Sequence, residues 1–134
     1  MNNLLDQVDT AISSESLPWH REGRIIDVEL WPNGRRQKIR LEQRGDLYRF
    51  WSVVATASFV TSDDASWRQL AYRAWRKNDL KEIVTFSFDR RDRLIGLIDQ
   101  PASSLDQEEL VLYVGTLARE CDRFEYKLMG RDRE

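Results

Sequence analysis

Arg24-Ile25-Ile26-Asp27-Val28-Glu29-Leu30-Trp31-Pro32-Asn33-Gly34-Arg35-Arg36-Gln37-Lys38-Ile39-Arg40-Leu41 is the stretch from which the fold is worked outward. Its first half alternates, with Ile26, Val28 and Leu30 on one side and Asp27 and Glu29 on the other, the period-two pattern of a half-buried strand. Asn33-Gly34 then predicts a two-residue type I′ hairpin turn. Folding about that turn sets Val28 opposite Ile39 and Ile26 opposite Leu41. It also sets Glu29 opposite Lys38 and Asp27 opposite Arg40, so opposite charges meet on the polar face. A one-residue slip would destroy both matches.

A second turn, predicted at Arg44-Gly45, returns the chain into a strand over 47–54, with Tyr48 against Leu41 and Phe50 against Ile39. Upstream, Leu4, Leu5, Val8, Ala11 and Ile12 form the apolar side of a helix over 4–15, which Leu17-Pro18 ends. Trp19 and His20 are assigned to a loop. Downstream, Thr61-Ser62-Asp63-Asp64 supplies capping residues for a helix over 63–77 that Asn78-Asp79 closes. Strands follow at 82–88 and 94–98 around the polar turn Asp89-Arg90-Arg91-Asp92. Pro101-Ala102-Ser103-Ser104 breaks the chain and offers a cap. A last helix over 105–129 carries Leu110, Val114, Leu117, Cys121, Phe124 and Leu128 at spacings of three and four, with Gly130 as its C′ residue. The order α-β-β-β-α-β-β-α defines an α+β class with an antiparallel sheet packed by helices, in one domain over 1–134 without repeats or linkers.

Composition bounds the function. With 41% hydrophobic and 33% charged residues and fourteen Trp, Phe and Tyr among 134, the chain can build a core without disulfide or metal. The lone Cys121 fits a reducing compartment. No membrane span and no signal-peptide pattern is present, so a cytoplasmic protein is expected. Residues 19–51 carry eight Lys/Arg against five Asp/Glu, and 99–134 five against nine, a basic middle and an acidic end.

Catalytic material is scarce. One His and one Cys about a hundred residues apart make neither a triad nor a metal site. His20 is read as a surface residue and Cys121, on an apolar stripe, as core packing. Asp63/Asp64 and Glu108/Glu109 sit where helix N-termini favour negative charge, and adjacent helical residues point apart. No glycine loop suits a phosphate. No catalytic residue, metal or cofactor is expected, and the protein is read as a non-enzyme.

The quotable motif lies in the last helix, Leu110-Val111-Leu112-Tyr113-Val114-Gly115-Thr116-Leu117-Ala118-Arg119-Glu120-Cys121-Asp122-Arg123-Phe124-Glu125, supported by Phe50-Trp51 and by the hairpin from Asp89 to Ile98. Element order, size and the acidic pI of about 5.5 resemble the type III secretion chaperone fold, and these local residues resemble its YbjN-like branch. The resemblance implies a non-enzymatic, chaperone-like homodimer, with the second helix and nearby strands at the dimer interface. It also implies a segment of a partner protein laid over apolar patches, in bacterial regulation or a stress response.

Two surfaces follow as expectations. In the second helix, Trp67, Leu70, Ala71, Ala74 and Trp75, extended by Tyr72, carry more apolar surface than a monomer's edge needs, which points to a dimer interface. On the sheet, the face opposite Ile26, Val28, Leu30, Ile39, Leu41, Tyr48 and Phe50 carries Trp31, Leu47, Arg49, Trp51 and Val53, expected to bind a partner segment. The alternative is that loops near Trp19 or Phe59 cover both tryptophans. A second functional reading comes from the Trp/Arg neighbours at Trp31, Trp51, Trp67 and Trp75: an accessory protein of nucleic-acid metabolism, binding DNA itself or bound to a DNA-binding partner. The acidic pI argues against direct nucleic-acid binding.

Overall fold

The computed structural model describes residues 3–80 and 82–129. Helix α1 (Leu4–Glu15) leads into β1 (Trp19–Glu22), β2 (Ile25–Glu29), β3 (Arg36–Arg44) and β4 (Leu47–Ala55). A short α2 (Ala57–Val60) and then α3 (Asp64–Asp79) cross to β5 (Thr85–Phe88) and β6 (Leu94–Pro101). One 3-10 turn (Ala102–Ser104) precedes α4 (Gln107–Met129). The strands form one antiparallel sheet in the order β1-β2-β3-β4-β6-β5. The architecture is the expected α+β arrangement with β1 and α2 added.

The expected apolar face is the buried one. Ile26, Val28, Leu30, Ile39, Leu41, Tyr48 and Phe50 all join a single core cluster, to which every α-helix also contributes. α4 lies across β3, β4 and β6, α1 packs against β1 and α4, and α3 flanks β5. Where α4 packs on β6 stands Gly96, where an added Cβ would sit 2.5 Å from Cys121 Sγ. Only a residue without a side chain lets helix and strand approach so near. Cys121 is buried, and burial pushes its thiol pKa far up, as suits a packing residue.

Both registers differ from expectation by two residues. β2 and β3 pair Ile26 with Ile39, Asp27 with Lys38, Val28 with Gln37 and Glu29 with Arg36. A two-residue turn at Asn33-Gly34 would make Pro32 a closing partner, but proline has no N–H to give. The loop instead spans Trp31 to Gly34. Leu30 N–H donates to the Arg35 carbonyl at 2.7 Å, and Gly34 N–H to the Leu30 carbonyl at 2.8 Å. The Trp31-Pro32 peptide is cis. The next turn is Gly45-Asp46, not Arg44-Gly45, with Gly45 at φ +58°. The position that requires positive φ takes the glycine, which sets Phe50 opposite Leu41 and Tyr48 opposite Gln43.

Three local assignments are also corrected. Trp19 and His20 belong to β1, whose hairpin with β2 turns at Gly23 (φ +59°). The cap of α4 is Asp106, not the 101–104 segment. Its carboxylate accepts from Glu109 N–H at 2.8 Å while Glu109 accepts from Asp106 N–H at 3.4 Å, a reciprocal box. β5 begins at Thr85. The Gly130 cap lies outside the described residues.

Candidate functional site

The face opposite the core is built mainly by the odd-numbered residues of β4: Leu47, Arg49, Trp51 and Val53, all at least partly exposed. They sit there because Tyr48, Phe50 and Ser52 point inward, and strand side chains alternate. Trp51 is half-buried, and two cations cover it. The Arg40 guanidinium lies 5.2 Å from its ring centroid and that of Arg93 lies at 5.4 Å. Trp19 and Phe59 are partly buried and pack against the core cluster.

Around Trp51 each acid is matched. Arg49 holds Asp99, its direct cross-strand neighbour, through Nε–Oδ1 at 2.7 Å and a second bond at 2.8 Å. This bond keeps the Asp99 carboxyl below its ordinary pKa, against the opposing pull of partial burial. Arg44 meets Glu42 at 2.8 Å. Asp89 organises the β5–β6 hairpin: it accepts from the backbone N–H of Arg91 and Arg93 and from Arg93 Nε at 2.8–3.0 Å. Burial alone would raise the Asp89 carboxyl, but these donors bring it below its usual value. Between this hairpin and β4 lies a groove of about 250 Å³ lined by Trp51, Ile95 and the arginines of both elements.

Sequence reasoning did not find the neighbouring polar joint. The β3–β4 ladder runs from Arg44/Leu47 only to Arg40/Trp51. Beyond it, buried Gln37 donates to Ser52 Oγ at 2.7 Å, and Ser52 Oγ donates to the Lys38 carbonyl at 2.7 Å. Side chains thus bridge β3 and β4 past the end of their ladder. A polar Gln and Ser at inward positions are the only sequence signal of this joint.

Trp31 is not beside Trp51. It stands 90% exposed in the β2–β3 loop, over a cleft of about 360 Å³ shared with Arg119, Asp122 and Tyr126 of α4. Arg35 anchors that loop: it bonds both Asp122 carboxylate oxygens at 2.6–3.0 Å and lies 4.4 Å over the Tyr126 ring.

The second surface is α3. Leu70 and Ala74 are buried against the core and Ala71 is half-covered, whereas Trp67, Tyr72 and Trp75 stay exposed. Trp67 stacks on Phe88 at 6.0 Å and Tyr72 on Trp75 at 6.2 Å. Leu80 and Ile83, both exposed, continue the apolar surface towards β5. β5 is an edge strand, and Asn78 fills its outer side: the carboxamide donates to the Phe86 carbonyl and accepts from Phe86 N–H, both at 2.8 Å.

Among the described residues no group of three or more His, Cys, Asp or Glu could hold a metal ion, and no helix is long and apolar enough to cross a membrane. The six-stranded sheet with its helices on one face is the YbjN-like, type III secretion chaperone-like fold. Three solved structures carry the comparison. YbjN from E. coli, a proposed transcription regulator, superposes with a TM-score of 0.59 at 12% identity, covering 91% of this chain and 85% of that one. The HopA1–SchA chaperone–effector complex matches with a TM-score of 0.57 at 9% identity, over 89% and 90%. The ExsC–ExsE complex matches with a TM-score of 0.55 at 15% identity, over 93% of each chain. No family model and no curated protein matches the sequence.

Proposed function

We propose that the protein is a non-enzymatic, chaperone-like adaptor that holds a segment of a partner protein on the open face of its sheet and works as a homodimer through α3. The observation that carries this reading is Trp51, a half-buried aromatic on the sheet face opposite the core, flanked by the guanidinium groups of Arg40 and Arg93. Two of the similar folds are found in protein–protein complexes, one of them a chaperone with its effector. The likeness to YbjN, a proposed transcription regulator, is consistent with a role in bacterial regulation, and we place that role in a cytoplasmic stress response.

Trp51→Ser is the test. The wild type is used to identify a partner by co-purification, and the two proteins are then recombined in purified form. The variant is expected to keep the wild-type fold, by near-ultraviolet circular dichroism and thermal unfolding, and to lose about tenfold or more in affinity, the effect of removing an interface anchor. Undiminished partner affinity in a folded variant would overturn the reading.

The stacked Trp51 and its arginines also support a second reading, an accessory protein of nucleic-acid metabolism. Steep weakening of oligonucleotide binding with salt separates it from capture of an apolar segment.

A further inference from the structure

The groove beside Trp51 is unevenly charged once its internal pairs are counted. Glu42, Asp89 and Asp99 are already matched to Arg44, Arg93 and Arg49. Of the groove's other arginines, Arg90 and Arg91 make no ion pair among the described residues. Arg40 stands over the Trp51 ring outside the groove's lining, and Arg90 and Arg91 line the groove at the tip of the hairpin.

That tip is held in place. Asp89 N–H donates to the Arg93 carbonyl at 2.9 Å and Asp92 N–H to the Asp89 carbonyl at 3.1 Å, while the Asp89 carboxylate takes two backbone donors from across the turn. Asp92 adopts φ +60°, which Asp tolerates better than most residues. Two exposed cations, neither ion-paired among the described residues, are thus presented on an ordered turn whose one further acid is the exposed Asp92. Beside them the groove's floor is apolar, made by half-buried Trp51 and the edge of buried Ile95.

We infer that the segment held on this face is acidic: an extended polypeptide whose carboxylates reach Arg90 and Arg91 while alternate apolar side chains lie on Trp51. The inference rests on the open face being the capture surface, and adds the chemistry of what is captured. An extended strand points successive side chains to opposite sides, so interleaved acidic and apolar residues suit an apolar floor beside two cations. Charge complementarity of this sort sets association rate and selectivity more than total affinity.

Labelled peptides of about 12 residues, long enough to cross the sheet, test the inference by fluorescence anisotropy. One series interleaves Glu with Leu and Phe, a second replaces Glu by Gln, a third by Lys. The Glu peptide is expected to bind the wild type about tenfold tighter than the Gln peptide at low salt, a margin that shrinks as salt rises to about 0.5 M. Arg90→Glu/Arg91→Glu changes two exposed side chains, so thermal unfolding should hold while the preference turns to the Lys peptide. Trp51→Ser should weaken all three alike. Equal binding of Glu and Gln peptides, both dependent on Trp51, would overturn acid selectivity and leave the capture surface standing. Binding of no peptide would remove both. A single-stranded oligonucleotide that displaces the Glu peptide at equal concentration would reassign the two cations to phosphate.

Discussion

Gly34 has φ +74°, and a Cβ added there would meet nothing within 4 Å. A side chain at this position is therefore opposed by backbone conformation alone. Gly34→Val should cost about 1–2 kcal/mol, since a β-branched residue pays most at positive φ. Denaturant unfolding against the wild type measures it, with an unchanged midpoint as the contrary result. The turn type was misread in the sequence, yet the glycine's requirement was legible, because Asn-Gly marks positive φ whatever the loop length. Arg49–Asp99 gives a second prediction at this scale. Asp99 has a folded pKa below its ordinary value, so the folded state holds its proton less tightly than the unfolded one. Its contribution is complete above the unfolded carboxylate range, near pH 4, and is lost as pH falls through the lowered folded value. Asp99→Asn should therefore lose stability at neutral pH and show a shallower decline as pH falls below about 4. An acid limb identical to the wild type would show that the pair contributes nothing.

At the scale of elements, the alternation that identified β2, β3 and β4 has period two, and so does the ambiguity it leaves. Moving a register by two residues keeps Ile26, Ile39 and Phe50 on the buried face. Charge did not break the tie either: Asp27 meets Lys38 and Glu29 meets Arg36, but the expected register also set acid against base, because Arg36, Lys38 and Arg40 are all cationic. The missing N–H of Pro32 was the deciding fact. β1 escaped notice because four residues between Pro18 and Gly23 give alternation little room. Helix α3 was legible as apolar, and its exposed half now makes a specific prediction. Trp75 is 60% and Leu80 71% exposed, a large apolar cost for a lone surface helix unless a second copy covers it. Sedimentation should show a dimer at micromolar concentration, and Trp67→Glu/Trp75→Glu should give a folded monomer, because both rings lie outside the core cluster. A wild-type monomer under those conditions would remove α3 as an interface.

For the whole molecule, the sequence revealed those parts of the candidate surface that share one strand. Leu47, Arg49, Trp51 and Val53 follow from alternation alone, whereas Arg93 and Ile95 reach Trp51 only because β6 is inserted beside β4, a pairing that no local pattern encodes. Trp31 was misplaced for the converse reason: it lies past the end of β2, where alternation no longer governs direction. That same insertion orders events during synthesis. Strands β1 to β4 are consecutive hairpins and can pair as soon as they emerge, but the roof over their apolar face is α4, which begins only at Gln107. At roughly 5–20 residues per second, the interval between completing β4 and completing α4 is on the order of several seconds. Throughout it Ile26, Ile39 and Phe50, none of which retains any exposure in the finished protein, face the solvent of a crowded ribosome exit. The nascent first half is thus itself an aggregation-prone client, and any fragment that stops short of Gln107 inherits that state for good.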